Sequence, residues 1–375
     1  MDKKILSLKE VSEDIGETLG EVKQFDVNHG YYNASFRGTK EFERVDTKIR
    51  KTLSFKGRKQ PISFGFFKSK KGYTSRYKNS KDYANHYGEY IAYIVLKQLG
   101  KKACKVDLGQ IVIKHPHTHQ DIVIDGILSH SQLSQEESFI PIASIISRYK
   151  TKLKNIDNEN SQTEGYMPLI PRGKTNSEKN YTNIEVVLKS LELYYKENGQ
   201  EEKLPIARKQ FFDMCIFDIK FANRDRHDEN FGEKVNQSTG DIQFYHLFDN
   251  EQILGMQEER ETVGKLINDE EEYKRFKGKE LTSCIGIPGT TQKIEPMELL
   301  NYLLKNYYDE TMDSISDICR YKIEDLEEVM DICPGLSDEH KKFAKKIFLE
   351  REKEIEKVIT EHNKNKETND EPSLV

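Results

Sequence analysis

The segment Cys215–Gly232, CIFDIKFANRDRHDENFG, constrains this chain more than any other. Cys215, Ile216, Phe217, Ile219, Phe221 and Ala222 form an apolar run suited to a core. The run breaks into an uninterrupted polar knot from Asn223 to Asn230, closed by Phe231 and Gly232. A buried lead-in that delivers Asp225, His227 and Asn230 at D-x-H-x-x-N spacing is what phosphoryl transfer needs. One carboxylate meets the acceptor hydroxyl, one amide oxygen holds a metal, and an imidazole braces the loop. The competing explanation is a charged turn followed by an ordinary edge hairpin.

A second stretch raises the specificity. Gly240–Asn250 reads as a strand through Ile242, Phe244, Tyr245, Leu247 and Phe248, ending on Asp249. A hairpin with its turn near Ser238-Thr239-Gly240 would bring Asp249 back beside Asn230. Two such oxygen ligands suit Mg²⁺, which takes one or two carboxylates together with phosphate oxygens and water.

The chain of 375 residues is long enough for two cores. Charged residues make up 33% and the net charge is −5, so no global basic field advertises direct nucleic-acid binding. No apolar run reaches the length of a membrane span, and MDKKILSLKE lacks a signal-type apolar core. Five cysteines without a C-x-x-C pair read as free thiols of a reducing compartment, so the expected location is cytoplasmic. With no Trp, 19 Tyr and 18 Phe must supply much of the core.

Along the chain, Ile5–Val22 carries weak helical periodicity. His29–Lys40 is turn-rich, with Gly30, Gly38, Ser35 and Thr39, and is either a phosphate-covering loop or a surface hairpin. Pro61–Lys68 reads as a strand ending on a lysine, followed by a polar loop from Ser69 to Ser80. From Tyr83 to Leu99 the period becomes helical, and Gly100 stops it. Lys68 at a strand end and Glu89 on the next helix suit the pinning of nucleotide phosphates, the carboxylate holding the ammonium in place. Lys105–Lys114 and Asp121–Ile124 read as strands around His115-Pro116-His117-Thr118-His119, a hairpin tip or a metal site. Residues 150–180 read as a loop or insertion, and 257–279 as a solvated run of mixed charge. Helices are expected over Ile184–Tyr195, Leu204–Phe217, Glu295–Tyr308, Ile323–Ile332 and Glu339–His362, with a disordered tail from Asn363.

The D-R-H-x-x-N loop and the Phe248-Asp249 pair together resemble the catalytic and metal loops of HipA-like serine/threonine kinases, nearest the subfamily of the Helicobacter proinflammatory kinase. More distantly, the loop is similar to that of phosphatidylinositol 3/4-kinases. The resemblance implies Asp225 as catalytic base, His227 as a loop-orienting residue, and Asn230 and Asp249 as Mg²⁺ ligands. It also supports Lys68 and Glu89 as ATP-binding residues. Asp125-Gly126-Ile127-Leu128 would be the hinge, with Asp125 and Ile127 offering backbone groups to adenine. The family often follows its metal Asp with a small residue and Ser, whereas Asn250-Glu251-Gln252 follow here, so the local turn differs.

The expected fold is therefore α+β and bilobal like a protein kinase. A strand-rich nucleotide lobe would span 1–124, a hinge 125–128, a helical catalytic lobe 129–362 and a tail 363–375. The expected activity is ATP- and Mg²⁺-dependent phosphorylation of a protein serine or threonine, with autophosphorylation at Ser35 or Thr39. A lipid or small-molecule kinase and a non-catalytic kinase-like binding module are the alternatives. An antitoxin-like protein is the partner that the resemblance implies, with neither membrane nor direct nucleic-acid contact.

Overall fold

The computed structural model describes residues 4–25, 32–37, 44–55, 58–70, 82–114, 120–160, 169, 182–290 and 293–370. The chain forms two compact units. The first comprises Met1–Glu136, His246–Lys274 and Tyr321–Lys346; the second comprises Glu137–Tyr245, Arg275–Arg320 and Ile347–Val375.

The chain opens with α1 (Leu8–Ile15), β1 (Lys23–Phe25), β2 (Tyr32–Arg37), β3 (Arg44–Phe55) and β4 (Arg58–Ser69). Next come α2 (Asn85–Gln98), β5 (Val106–Lys114) and β6 (Asp121–His130). Ser7 and Glu10 start α1 with a reciprocal capping box, which satisfies donors that a helix N-terminus leaves open. The six strands make one sheet in the order β1-β5-β6-β4-β3-β2, antiparallel except for β1 with β5. Ile91, Ile94 and Val95 of α2 are buried with Phe67, Leu108, Ile111, Ile124, Ile127 and Leu128 of the sheet. Gly126 is required where β6 passes β4, because a Cβ there would lie 2.3 Å from the Lys68 carbonyl oxygen.

The expected hinge is corrected here. Residues 125–128 lie inside β6, which runs on to His130 and is paired with β4 and β5. Ile127 faces Lys68 on one side and Leu108 on the other. The Asp125 carbonyl accepts from Lys70 N at 2.7 Å, and its carboxylate accepts from Gln110 Nε2 at 2.8 Å. Backbone committed in this way is not open to an adenine ring.

The second unit begins with β7 (Glu137–Pro141), α3 (Ile142–Asn160), α4 (Ile184–Glu197), α5 (Leu204–Lys220), β8 (Gly232–Asn236) and β9 (Ile242–Phe244). β7, β8 and β9 form an antiparallel sheet, and Gly240 turns the β8–β9 hairpin with φ 72°. Residues 150–160, expected as loop, continue α3, which buries Tyr149 and Leu153. After the hairpin come α6 (Arg260–Asn268), α7 (Glu270–Glu280), α8 (Pro296–Asn306), α9 (Tyr308–Ile318), α10 (Ile323–Asp331) and α11 (Asp338–Asp370). The mixed-charge run 257–279 is not a solvated coil: α6 buries Val263 and Leu266, and α7 buries Tyr273. α11 continues past His362 to Asp370. From Phe211 onward α5 is buried all round, through Phe211, Phe212, Met214, Cys215, Ile216, Phe217 and Ile219, which explains why that part lacks a polar face. All five cysteines are free thiols. Among the described residues no helix is long and apolar enough to cross a membrane. Residues 115–119, 29–31, 38–43 and 71–80 lie outside the described residues, and so do the histidine tip, Thr39 and half of the proposed phosphate loop, whose residues 32–37 form β2.

Candidate active site

Each unit carries its own set of charged groups. In the first, Lys68 sits next to the end of β4, as its sequence position predicts. Its ammonium lies 2.5 Å from the Asp249 carboxylate. Glu89, 1% exposed on α2, makes no ion pair with Lys68; this corrects the expected direct pairing. Its carboxylate instead accepts the backbone N–H groups of Asp249, at 2.9 Å, and Asn250. Glu89 thus fixes the peptide that carries Asp249, and Asp249 meets the lysine.

Asp249 is in the left-handed region at φ 55°, a conformation that Asp tolerates better than most residues. Such outliers persist where surrounding contacts over-determine them. Gly88 permits the close approach, since a Cβ there would lie 2.5 Å from the Glu251 carbonyl oxygen. Burial pushes the Glu89 carboxyl up to about 7, opposed by Lys68 and reinforced by Asp249 and Glu251. Burial would lower the Lys68 ammonium, but Asp249, Glu89 and Glu251 hold it well above the usual lysine range.

In the second unit, the polar knot leaves α5 through Ala222, a non-glycine residue at φ 50°. Asn223 is tied back to Asp218 through its backbone N–H at 2.9 Å and its Nδ2 at 2.8 Å. Its Oδ1 accepts from Asp225 N at 3.2 Å, a local turn that presents Asp225. Arg226, among the most buried side chains, forks onto Asp218 with Nε at 2.9 Å and Nη2 at 3.2 Å. Its Nη1 reaches the Asn230 carbonyl at 3.0 Å. One guanidinium therefore spans the loop from its helical stem to its far end. Burial pushes the Asp218 carboxyl up, and Arg226 opposes that.

The brace is thus Arg226 with Asp218, rather than His227 alone. His227 makes a local contact, accepting Glu229 N on Nδ1 at 3.3 Å. Asn230, 5% exposed, donates Nδ2 to the Asp225 carbonyl at 2.9 Å, which leaves Oδ1 as its uncommitted atom. An amide oxygen and a carboxylate, Asn230 and Asp249, are donors of the kind Mg²⁺ takes. Among the described residues no cluster of three His, Cys, Asp or Glu side chains offers a metal cage, and Mg²⁺ does not need one.

Sequence reasoning missed three groups here. Asp218 stands inside the apolar run CIFDIKF, and an acid in such a run is a signal of a buried partner. Cys284 Sγ and Lys293 Nζ both donate to the Arg224 carbonyl, each at 3.0 Å, and no local pattern marks them.

No protein-family profile matches the chain, and neither does any curated protein. Among solved structures, the crystal structure of the Helicobacter pylori proinflammatory kinase CtkA matches with TM-score 0.58 at 15% identity, over 92% of this chain and 100% of that one. A Shewanella oneidensis MR-1 toxin–antitoxin complex of HipA, HipB and operator DNA matches with TM-score 0.42 at 12% identity, over 95% of this chain and 72% of that one. The chain therefore shares the α+β fold of the Helicobacter kinase. The distant likeness to phosphatidylinositol kinases rests on the loop motif alone.

Proposed function

We propose that the protein is an ATP- and Mg²⁺-dependent kinase that phosphorylates serine or threonine hydroxyls of proteins, itself included. The observation that carries this reading is the loop Asn223–Asn230. One buried clamp fixes Asp225 and Asn230 together, and Asn230 keeps its amide oxygen uncommitted. The fold shared with a known kinase supports it.

On this reading Asp225 accepts the proton of the acceptor hydroxyl. The acceptor oxygen bonds to the γ-phosphorus while the bond to the bridging oxygen breaks, its electron pair leaving with ADP. Asn230 and Asp249 would hold Mg²⁺, which when bound neutralises phosphate charge. Lys68 exchanges its Asp249 contact for phosphate oxygens, and Glu89 keeps the Asp249 peptide in place through both of its carboxylate oxygens. Positioning and charge neutralisation supply the rate, since the protein forms no covalent bond.

Transfer of ³²P from γ-labelled ATP tests this reading, with the protein itself, a generic protein and a lipid extract as acceptors. Label on protein, reduced at least about 100-fold by Asp225→Asn and by Asp249→Asn, is expected. Label confined to lipid would replace the protein-kinase reading with the lipid-kinase one. Equal label in wild type and both variants would remove the assigned site.

A further inference from the structure

Among the described residues, three cations lie at the loop that carries Asp225, and two of them have carboxylate partners. Arg226 is forked onto Asp218. Arg224 lies 3.4 Å from Glu280, with its guanidinium over the Phe276 ring. Lys293 is the third. Its ammonium donates to the Arg224 carbonyl at 3.0 Å and has no carboxylate partner among the described residues. A lysine ammonium has three donors; one meets the Arg224 carbonyl and the Cys284 thiol lies within hydrogen-bond reach, which leaves one for a ligand.

Its placement is built, although the side chain is exposed. An antiparallel bridge joins Ser283 to Ile294, with Ser283 N donating to Ile294 O at 2.9 Å. The bridge sets Cys284 and Lys293 on one target, the carbonyl of the residue just before Asp225.

We infer that Lys293 is a phosphoryl-binding residue of the second unit, a cation delivered from distant sequence to the terminal phosphate that Asp225 serves. The inference rests on the kinase reading for its substrate. It adds a residue that the D-R-H-x-x-N motif does not contain. Lys293 donates no proton in the transfer; its role is to offset the negative charge on the non-bridging phosphate oxygens while the acceptor proton goes to Asp225.

Three substitutions separate charge from tethering. Lys293→Arg keeps charge and donors, Lys293→Gln keeps a donor without charge, and Lys293→Met keeps neither. In the ³²P assay, kcat falls about 100-fold in the Gln and Met variants and less than about tenfold in the Arg variant, with KM for ATP little changed. A Gln variant at the wild-type rate would overturn the inference, because a neutral donor would then suffice. A second measurement needs no turnover. Acetylation of the whole protein, read by mass spectrometry, should show Lys293 protected by tripolyphosphate with Mg²⁺, and unchanged acetylation would overturn the site. Protection in a protein that transfers no phosphate to any acceptor would sustain the anion site and remove the kinase reading instead.

Discussion

Removing Arg226 tests whether the loop is held by a buried ion pair or by its backbone alone. Arg226 is 2% exposed and Asp218 is 9% exposed, so Arg226→Met strands a carboxylate inside the second unit. Breaking one side of such a pair costs about 3–5 kcal/mol. Replacing both sides, as in Asp218→Leu with Arg226→Met, removes the stranded charge. What remains is the Asn223 Nδ2 donor, which loses its 2.8 Å acceptor and costs about 1–3 kcal/mol. The double variant should therefore be more stable than the Arg226→Met single variant by roughly 2 kcal/mol. Urea unfolding followed by tyrosine fluorescence and circular dichroism measures both. Activity should not recover with stability, because the double variant still lacks the Arg226 bond to the Asn230 carbonyl. If the single and double variants unfold at the same urea concentration, the pair is not the brace and the reasoning fails.

Two further outcomes are expected. Gly88→Ala should destabilise the first unit by at least about 1 kcal/mol although alanine favours helices, since its Cβ meets the Glu251 carbonyl; a stabilised variant in thermal melts would show that the loop gives way freely. Glu233, fully buried with Oε1 unpartnered and Oε2 accepting Tyr195 Oη at 2.8 Å, has its carboxyl pushed by burial up to about 8. The folded form therefore binds the proton more tightly than the unfolded chain. That contribution to stability is full below about pH 4.5 and is lost as pH rises through about 8. Glu233→Gln should flatten the loss between pH 5 and 9 in urea titrations, and an unchanged slope would assign it to another group.

Much of the fold was legible because local periodicity and burial agree. The stripe on Tyr83–Leu99 and the strand ending at Lys68 are α2 and β4 within a few residues. Reading failed where charge hid a buried stripe. α6 and α7 present Arg, Glu or Lys at more than half of their positions, and only Val263, Leu266 and Tyr273 are buried, too few to stand out in a run of 23 residues. The hinge at 125–128 comes from the resemblance and not from a local pattern, and in the fold Gly126 serves the tight crossing of β4 and β6.

The candidate site divides in the same way. Asp225, Asn230 and Asp249 stand out as candidates because two short motifs name them. The contact that holds Asp249 does not, because Glu89 reaches its backbone from 160 residues away, whereas the Arg226–Asp218 clamp is local and is hidden by the apolar run around Asp218. Glu89 illustrates the difference. A lysine and a glutamate suggest an ion pair by charge alone, but a carboxylate 1% exposed also needs hydrogen-bond donors, and the two adjacent N–H groups of Asp249 and Asn250 supply them. The glutamate then acts on the aspartate's backbone, and the aspartate on the lysine. A chemistry that requires Lys68 to release Asp249 on meeting phosphate is better served this way, because Glu89 keeps the Asp249 peptide fixed whether or not the lysine stays.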